Sequence, residues 1–452
     1  MSTIEIAGFA GDAVVPADPG YDEARTLWNA MIDKRPAVVT RCRSTADVVA
    51  ALAHAKREGL EVAVRGGGHS VAGSSSADGG MVIDLRHLNG VTVDARRRRA
   101  RVQGGALLAD LDRAAHRHGL ATTGGMVHHT GVAGLTLGGG YGWLGRVHSL
   151  SCDNLVSAEV VTADGEVVTA SADEHPELLW GLRGGGGNFG IVTQFEFALH
   201  PIGPMLSVQI RFPTASAATA LRRYRDLMDS APRALCSLAG VESGRGTGLT
   251  ESATSHEVYV WYTYAGDDLD EGRRLGRPLL DVPGAVEDSS EVLTYPALQS
   301  ITGEASGPGR RHYWKGSLLW ELSDDFLDAF AERGRMTQPG AGIEIFSLGG
   351  AISDVPEDAT AYSNRGARFD LLPAATWDSP EDDDGMIAIT REHWRVLSRF
   401  GRVGVYVNDL GTDADERVRE VYGAATFERL VDLKRRWDPD NVFHLNANIA
   451  PT

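Results

Sequence analysis

Cysteine is scarce in this sequence: Cys42, Cys152 and Cys236 are the only three in 452 residues. Their number is odd, their spacing is wide and no CxxC occurs, so neither a disulfide scaffold nor a cysteine-rich metal site is expected. Lysine is also scarce, with four among 44 basic residues; 61 acidic residues bring the net charge to −17. Such an acidic surface repels phosphate backbones and anionic headgroups, so no nucleic-acid or membrane partner is expected. The run Arg96–Arg99 with Arg101 lies in an alternating stretch and reads as a solvated edge strand. No apolar run approaches the roughly 18 residues of a membrane span. The N-terminus has no basic n-region followed by an apolar h-region, so a cytoplasmic protein is expected. HExxH is absent, His128-His129 lacks metal spacing, and no Gly-Lys pair forms a P-loop, so no metal is expected.

Glycine is what the sequence has in excess: 54 of 452 residues, about 12% against a usual level of about 7%. The glycines cluster at 66–68, 73–80, 124–145 and 184–190, between apolar runs. Length alone suggests two or three domains at about 150 residues each. Residues 37–65 read as strand, helix capped by Ser44 and stopped by Gly59, then strand. MVIDL (81–85) reads as a buried strand, VTVDARRRRARV as a strand pair, and 106–119 as a helix ending at Gly119. LVSAEVVTADGEVV reads as a hairpin turning at Asp164-Gly165, and IVTQFEFAL as a strand. Beyond Pro201–Pro204, aromatic-rich runs such as EVYVWYTYAG, RHYWKGSLLW and GIEIFSLGGAI suggest a second, sheet-based unit. A helix follows over ADERVREVYGAATFERLVDLKRRWDP. The class is α+β.

Gly185-Gly187-Gly190 and Gly140-Gly142-Gly145 both match G-x-G-x-x-G. That pattern marks a dinucleotide fold only between a strand and a helix. Neither continuation has helical periodicity, so the glycines are expected to form several turns around one extended ligand. Exposed backbone N–H groups in such turns suit a pyrophosphate. In Arg65-Gly66-Gly67-Gly68-His69-Ser70, the glycines leave room for a large planar ligand beside the histidine.

Four segments carry a specific resemblance: VRGGGHSVAGSSSADGGMVIDL, GVAGLTLGGGYGWLGR, LLWGLRGGGGNFGIVTQFEF and DPDNVFHLNANI. In this order and spacing they resemble the berberine bridge enzyme-like FAD-linked oxidases of the vanillyl-alcohol oxidase superfamily, in the bacterial hydroxynicotine oxidase and natural-product oxidase subgroup. The resemblance implies a two-subdomain PCMH-type FAD-binding domain (1–204), an antiparallel-sheet substrate domain with flanking helices (205–404), and a C-terminal segment (405–452) returning to the FAD domain. It implies FAD bonded through its 8α-methyl group to His69. Arg65, Gly66, Gly67, Gly68 and Ser70 would hold the pyrophosphate through their backbone. Thr130, Gly131, Gly134, Gly139, Gly142, Gly190 and Val192 would line the rest, with Asn446 and Asn448 reaching back to the flavin. Many relatives have a second link from a cysteine; Gly131 occupies that position here, so a single bond is expected. Cys152 reads as a small buried residue.

The implied reaction is hydride transfer from a substrate C–H to flavin N5, reoxidation by molecular oxygen and release of hydrogen peroxide. A histidyl link tends to raise the flavin potential. The substrate is expected to be a small alcohol, amine or natural product, and the protein a monomer or homodimer. Oxygenase or oxidative-cyclase chemistry and a non-catalytic binding protein are the alternatives. Relatives often use a tyrosine in Y-x-N-Y as base; the matching Tyr406-Val407-Asn408-Asp409 ends in Asp409, which puts that base in doubt. Glu344 is the other candidate, since alternation in GIEIFSL places it on the face of Phe346 and Leu348. A carboxylate among apolar side chains has a raised pKa suited to acid–base work. Tyr141 is a further catalytic candidate. Trp143 is a candidate for the substrate wall, with core packing as the alternative; Tyr259, Trp261, Tyr313 and Lys315 are further candidates, for each of which core packing is the favoured reading.

Overall fold

The computed structural model describes residues 4–242, 257–303, 307–402, 404–411 and 414–452. The first sheet forms from short β-branched runs. Strands Val38–Arg41, Met81–Asp84 and Val62–Arg65 lie parallel, and Asp12–Val14 joins the edge antiparallel. The helix Thr45–Glu58 starts where Ser44 Oγ accepts the Asp47 N–H at 3.1 Å, and stops where Gly59 turns left-handed at φ 65°. A second, antiparallel sheet runs Val91–Asp94, Arg99–Gln103, Ile191–Ala198, Leu155–Val161, Val167–Ala170. The expected hairpins at Arg96–Arg101 and Asp164-Gly165 are its two edges. Among the described residues no helix is long and apolar enough to cross a membrane.

The third sheet has eight strands, from Met205–Phe212 through Phe369–Trp377. Helices Ala217–Ser230, Leu269–Leu280, Asp324–Gly334 and Asp383–Leu397 pack against it. Alternation divides its side chains between two faces. In Ala341–Ser347, Ile343 and Ile345 pack toward the helices, whereas Phe346 packs with Trp143, Leu238 and Trp261 beside the glycine segments. Glu344 shares the face of Phe346, as the sequence pattern implies.

Three local readings change. RHYWKGSLLW is two strands, Arg311–Trp314 and Ser317–Leu319, because the chain breaks at Gly316 against the Asp409 side chain. Val132–Gly138 and Gly145–His148 are short helices within what reads as glycine turns; burial of Val132, Ala133, Thr136 and Leu137 stabilises the first against its glycine content. The C-terminal helix Ala414–Trp437 is interrupted at Gly423 (φ 67°).

Candidate active site

Between the glycine segments and the open face of the large sheet lies a cavity of about 420 Å³, within the usual range for ligand sites. Backbone forms much of its wall: Gly66, Gly67, Gly68, Gly131, Gly134 and Gly190 line it with His69, Ser70, Thr130, Val192 and Asn446. Two loops meet there in backbone contact. A Cβ on Gly67 would stand 2.4 Å from the Gly131 nitrogen, and a Cβ on Gly131 equally close to the Gly67 nitrogen. No residue larger than glycine fits either position without moving the other loop.

His69 is fixed by stacking. Trp28 lies on its ring (centroids 4.0 Å apart, 18° between planes), and His312 covers the far side of Trp28 at 3.8 Å. Burial lowers the His69 pKa to about 3, helped by His129 and His312, so the ring is neutral. Arg65 does not line the cavity. Its buried guanidinium donates to the Ala24 and Thr26 carbonyls, each at 2.5 Å, beside Asp84 at 3.8 Å. The side chain thereby anchors the segment that delivers Trp28.

Asn446 donates to the Gly187 carbonyl at 3.0 Å, while its Oδ1, buried, has no partner among the described residues. Asn448 stands behind the wall with its Oδ1 in the same condition. Gly139 and Gly142 also lie behind it: a Cβ on Gly139 would meet the Tyr362 ring at 2.7 Å, and on Gly142 the Gly124 carbonyl at 2.3 Å.

The candidate catalytic residues Tyr141, Glu344, Tyr406 and Asp409 all reach this cavity. Sequence reasoning missed a fifth group, Asp370. Tyr141 Oη donates to Asp370 Oδ2 at 2.5 Å, and the buried Asp370 and Asp409 carboxyls lie near enough to act on each other's ionisation. Burial and mutual repulsion raise Asp409 well above the carboxylate range, and burial also raises Asp370. Tyr406 Oη accepts from the Gly140 N–H at 2.8 Å and from Asn408 Nδ2 at 2.6 Å. Those donors occupy its lone pairs and burial raises its pKa, so Tyr406 is poorly placed to accept a proton. A signal for Asp370 did exist: it is the lone charge in the apolar strand FDLLPAATW.

Glu344 stands on the sheet wall of the cavity. Tyr259 reaches it from behind, Oη to Oε1 at 3.4 Å, passing over Gly240, where a Cβ would lie 2.5 Å from that hydroxyl. The other candidate wall residues lie outside the cavity. Trp143 and Trp261 pack on each other at 4.6 Å in the core. Tyr313 packs with Trp377 and Met386, and Lys315 sits 4.4 Å over the Trp394 ring. Trp143, Trp261 and Tyr313 are buried in the core, and Lys315 is half-buried against Trp394.

Glycine turns presenting backbone N–H groups, an apolar interior and unpartnered asparagine oxygens fit a dinucleotide cofactor. The family described as FAD binding domain matches residues 36–171, and that described as berberine and berberine like matches 405–450. (R)-6-Hydroxynicotine oxidase of Paenarthrobacter nicotinovorans is 32% identical, over 98% of this chain and 97% of that protein. The structure of 6-hydroxy-D-nicotine oxidase from Arthrobacter nicotinovorans superimposes with a TM-score of 0.89 at 29% identity, covering 98% of both chains. Glucooligosaccharide oxidase of Acremonium strictum, with a 6-S-cysteinyl, 8α-N1-histidyl FAD, shares the fold: TM-score 0.87, 23% identity, 98% and 97% coverage. Fold and site thus define an FAD-binding oxidoreductase. The chain belongs to the berberine bridge enzyme-like FAD-linked oxidases of the vanillyl-alcohol oxidase superfamily.

Proposed function

We propose that this oxidase holds its FAD by one covalent bond, at His69, and oxidises a C–H bond of a small alcohol or amine with dioxygen as final acceptor. The observation that carries this reading is a cavity joining the His69 glycine cradle to the buried Asp409 carboxyl, beside which Asp370 lies. Bound FAD supplies a two-electron acceptor that dioxygen reoxidises to give hydrogen peroxide.

The chain's own residues supply orientation and proton transfer. The Asp370–Asp409 pair accepts the O–H or N–H proton adjacent to the reacting C–H, with Tyr141 holding Asp370 in place. Glu344 takes a hydrogen bond from the substrate's amine or hydroxyl, while Phe346, Leu372 and Ala374 exclude water on the same wall. The contact between Gly131 and Gly67 supports a single bond, since a cysteine at 131 has no room for its Cβ.

Acid denaturation tests the attachment: a yellow pellet is expected, and a colourless pellet with FAD in the supernatant would overturn it. Once a substrate is found, one peroxide per oxidised molecule is expected. Incorporation of labelled oxygen from O₂ into product would show oxygenase chemistry instead.

A further inference from the structure

His129 lies behind His69 and outside the cavity wall, and nothing in the oxidation described above uses it. Its ring contacts define the proton position on both histidines. Nε2 of His129 is 3.2 Å from the Gly303 carbonyl, which can only accept, so that nitrogen carries hydrogen. Burial lowers the pKa of His129, as it does that of His69, so each neutral ring has a single N–H. Nδ1 of His129 is therefore a bare acceptor. It lies 3.1 Å from Nε2 of His69, which must donate to it. His69 is left with its lone pair on Nδ1. The Trp28–His312 stack keeps the ring in that orientation, and the His312 backbone N–H is itself fixed by Asn29 Oδ1 at 3.0 Å.

We propose that His129 is the positioning residue for cofactor attachment: it holds the His69 proton at Nε2, leaves Nδ1 as the nucleophile, and takes up that proton as the bond forms. The proposal rests on the reading that His69 carries the FAD. In the balanced step, one C–H bond of the flavin 8α-methyl group would break, its proton passing to solvent and its electron pair reducing the isoalloxazine. His69 Nδ1 bonds to that carbon, and the Nε2 proton passes to His129 Nδ1. The electron pair and two protons then leave together as dioxygen reoxidises the ring to give hydrogen peroxide. Without an acceptor at Nε2, the alkylated ring would be a buried imidazolium among three other aromatic rings, an unfavourable charge.

The test uses the full chain with His129→Ala and His129→Gln, scored by intact mass and by FAD retained after acid denaturation. Wild type is expected to carry one FAD per chain. His129→Ala is expected to bind FAD that acid releases, with attachment about 10²-fold slower. Imidazole in the buffer is expected to restore attachment, which a merely structural role would not allow. His129→Gln can accept the Nε2 hydrogen bond but cannot take up the proton, so it too is expected to label slowly. Wild-type labelling of either variant, or no response of a slow variant to imidazole, would overturn the proposal. If His129→Ala does not fold, His129→Gln decides the matter by the same criteria. A wild-type chain without covalent FAD would instead overturn the reading of His69.

Discussion

Tyr141 and Asp370 meet at 2.5 Å, hydroxyl to carboxylate, across the junction of a glycine segment and the large sheet. The contact ties the cofactor half of the cavity to the half that faces substrate. The Tyr141 hydrogen bond favours the charged form of Asp370, while burial works against it and raises its pKa.

Asp409→Asn keeps the shape of the pair but takes away one of its two proton-binding carboxyls. Turnover is expected to fall by about 10²–10⁴ with FAD loading unchanged. The folded pKa of Asp409 is raised, so its ionisation opposes folding increasingly as pH rises above the ordinary carboxylate value. The variant should therefore melt higher than wild type at pH 8, with the gap closing near pH 4. Unchanged turnover would remove the pair from the mechanism.

Glu344→Gln separates binding from base chemistry at the sheet wall. With Glu344 as a binding group, the variant raises KM for an amine more than it lowers kcat. A fall in kcat with KM unchanged would make Glu344 the base.

Gly131→Ala puts a methyl group 2.4 Å from the Gly67 nitrogen. Backbone cannot yield as a side chain does, so a destabilisation of about 1–3 kcal/mol is expected. The fraction of chains holding FAD should fall with it, measured by the flavin-to-protein absorbance ratio. Full loading at an unaltered Tm would show that the two loops are free to separate.

Asp112, buried on the helix Leu108–His116, has one weak hydrogen bond among the described residues, from Gln299 Nε2 at 3.5 Å. Burial raises its pKa to about 7. The folded chain thus binds a proton that the unfolded chain releases near pH 4, and stability declines as pH rises from about 4 to about 7. Asp112→Asn is expected to remove most of that slope and to raise Tm at pH 8, read by thermal melts across pH. Parallel melting curves for the two proteins would contradict it.

Lys434 is fully buried and donates to Asp438 at 2.7 Å and to the Asn188 and Phe443 carbonyls at 2.8 and 2.9 Å. It joins the last helix to the 184–190 glycine loop and to the chain leading to Asn446. Lys434→Met leaves Asp438 buried without its cation and should cost about 3–5 kcal/mol. Denaturant unfolding measures this, and a loss below 1 kcal/mol would count against the account.

Much of the architecture was legible in short stretches of sequence. The Ser44 cap, the Gly59 stop, the Asp164-Gly165 turn and the facing of Glu344 each depend on residues a few positions apart. Gly131 was also legible, as a position where relatives carry cysteine; its contact with Gly67 was not. Trp261 and Tyr313 were left between substrate wall and core, because aromatic strand residues look alike whether they face a cavity or a core. Asp370 and His129 gave little local signal, since a lone aspartate or one of two adjacent histidines acquires its role from what packs against it.

The sequence by itself determined the cofactor class, the turns that cradle it and the alternation of the sheet. These follow from local backbone preference, from side-chain periodicity and from motif spacing. Only the tertiary structure decided which carboxyls are buried beside each other and which nitrogen of His69 faces His129. Both depend on burial and on partners distant in the chain: a carboxyl's proton affinity is set by its desolvation and neighbouring charge, and an imidazole's tautomer by the hydrogen bond at its other nitrogen.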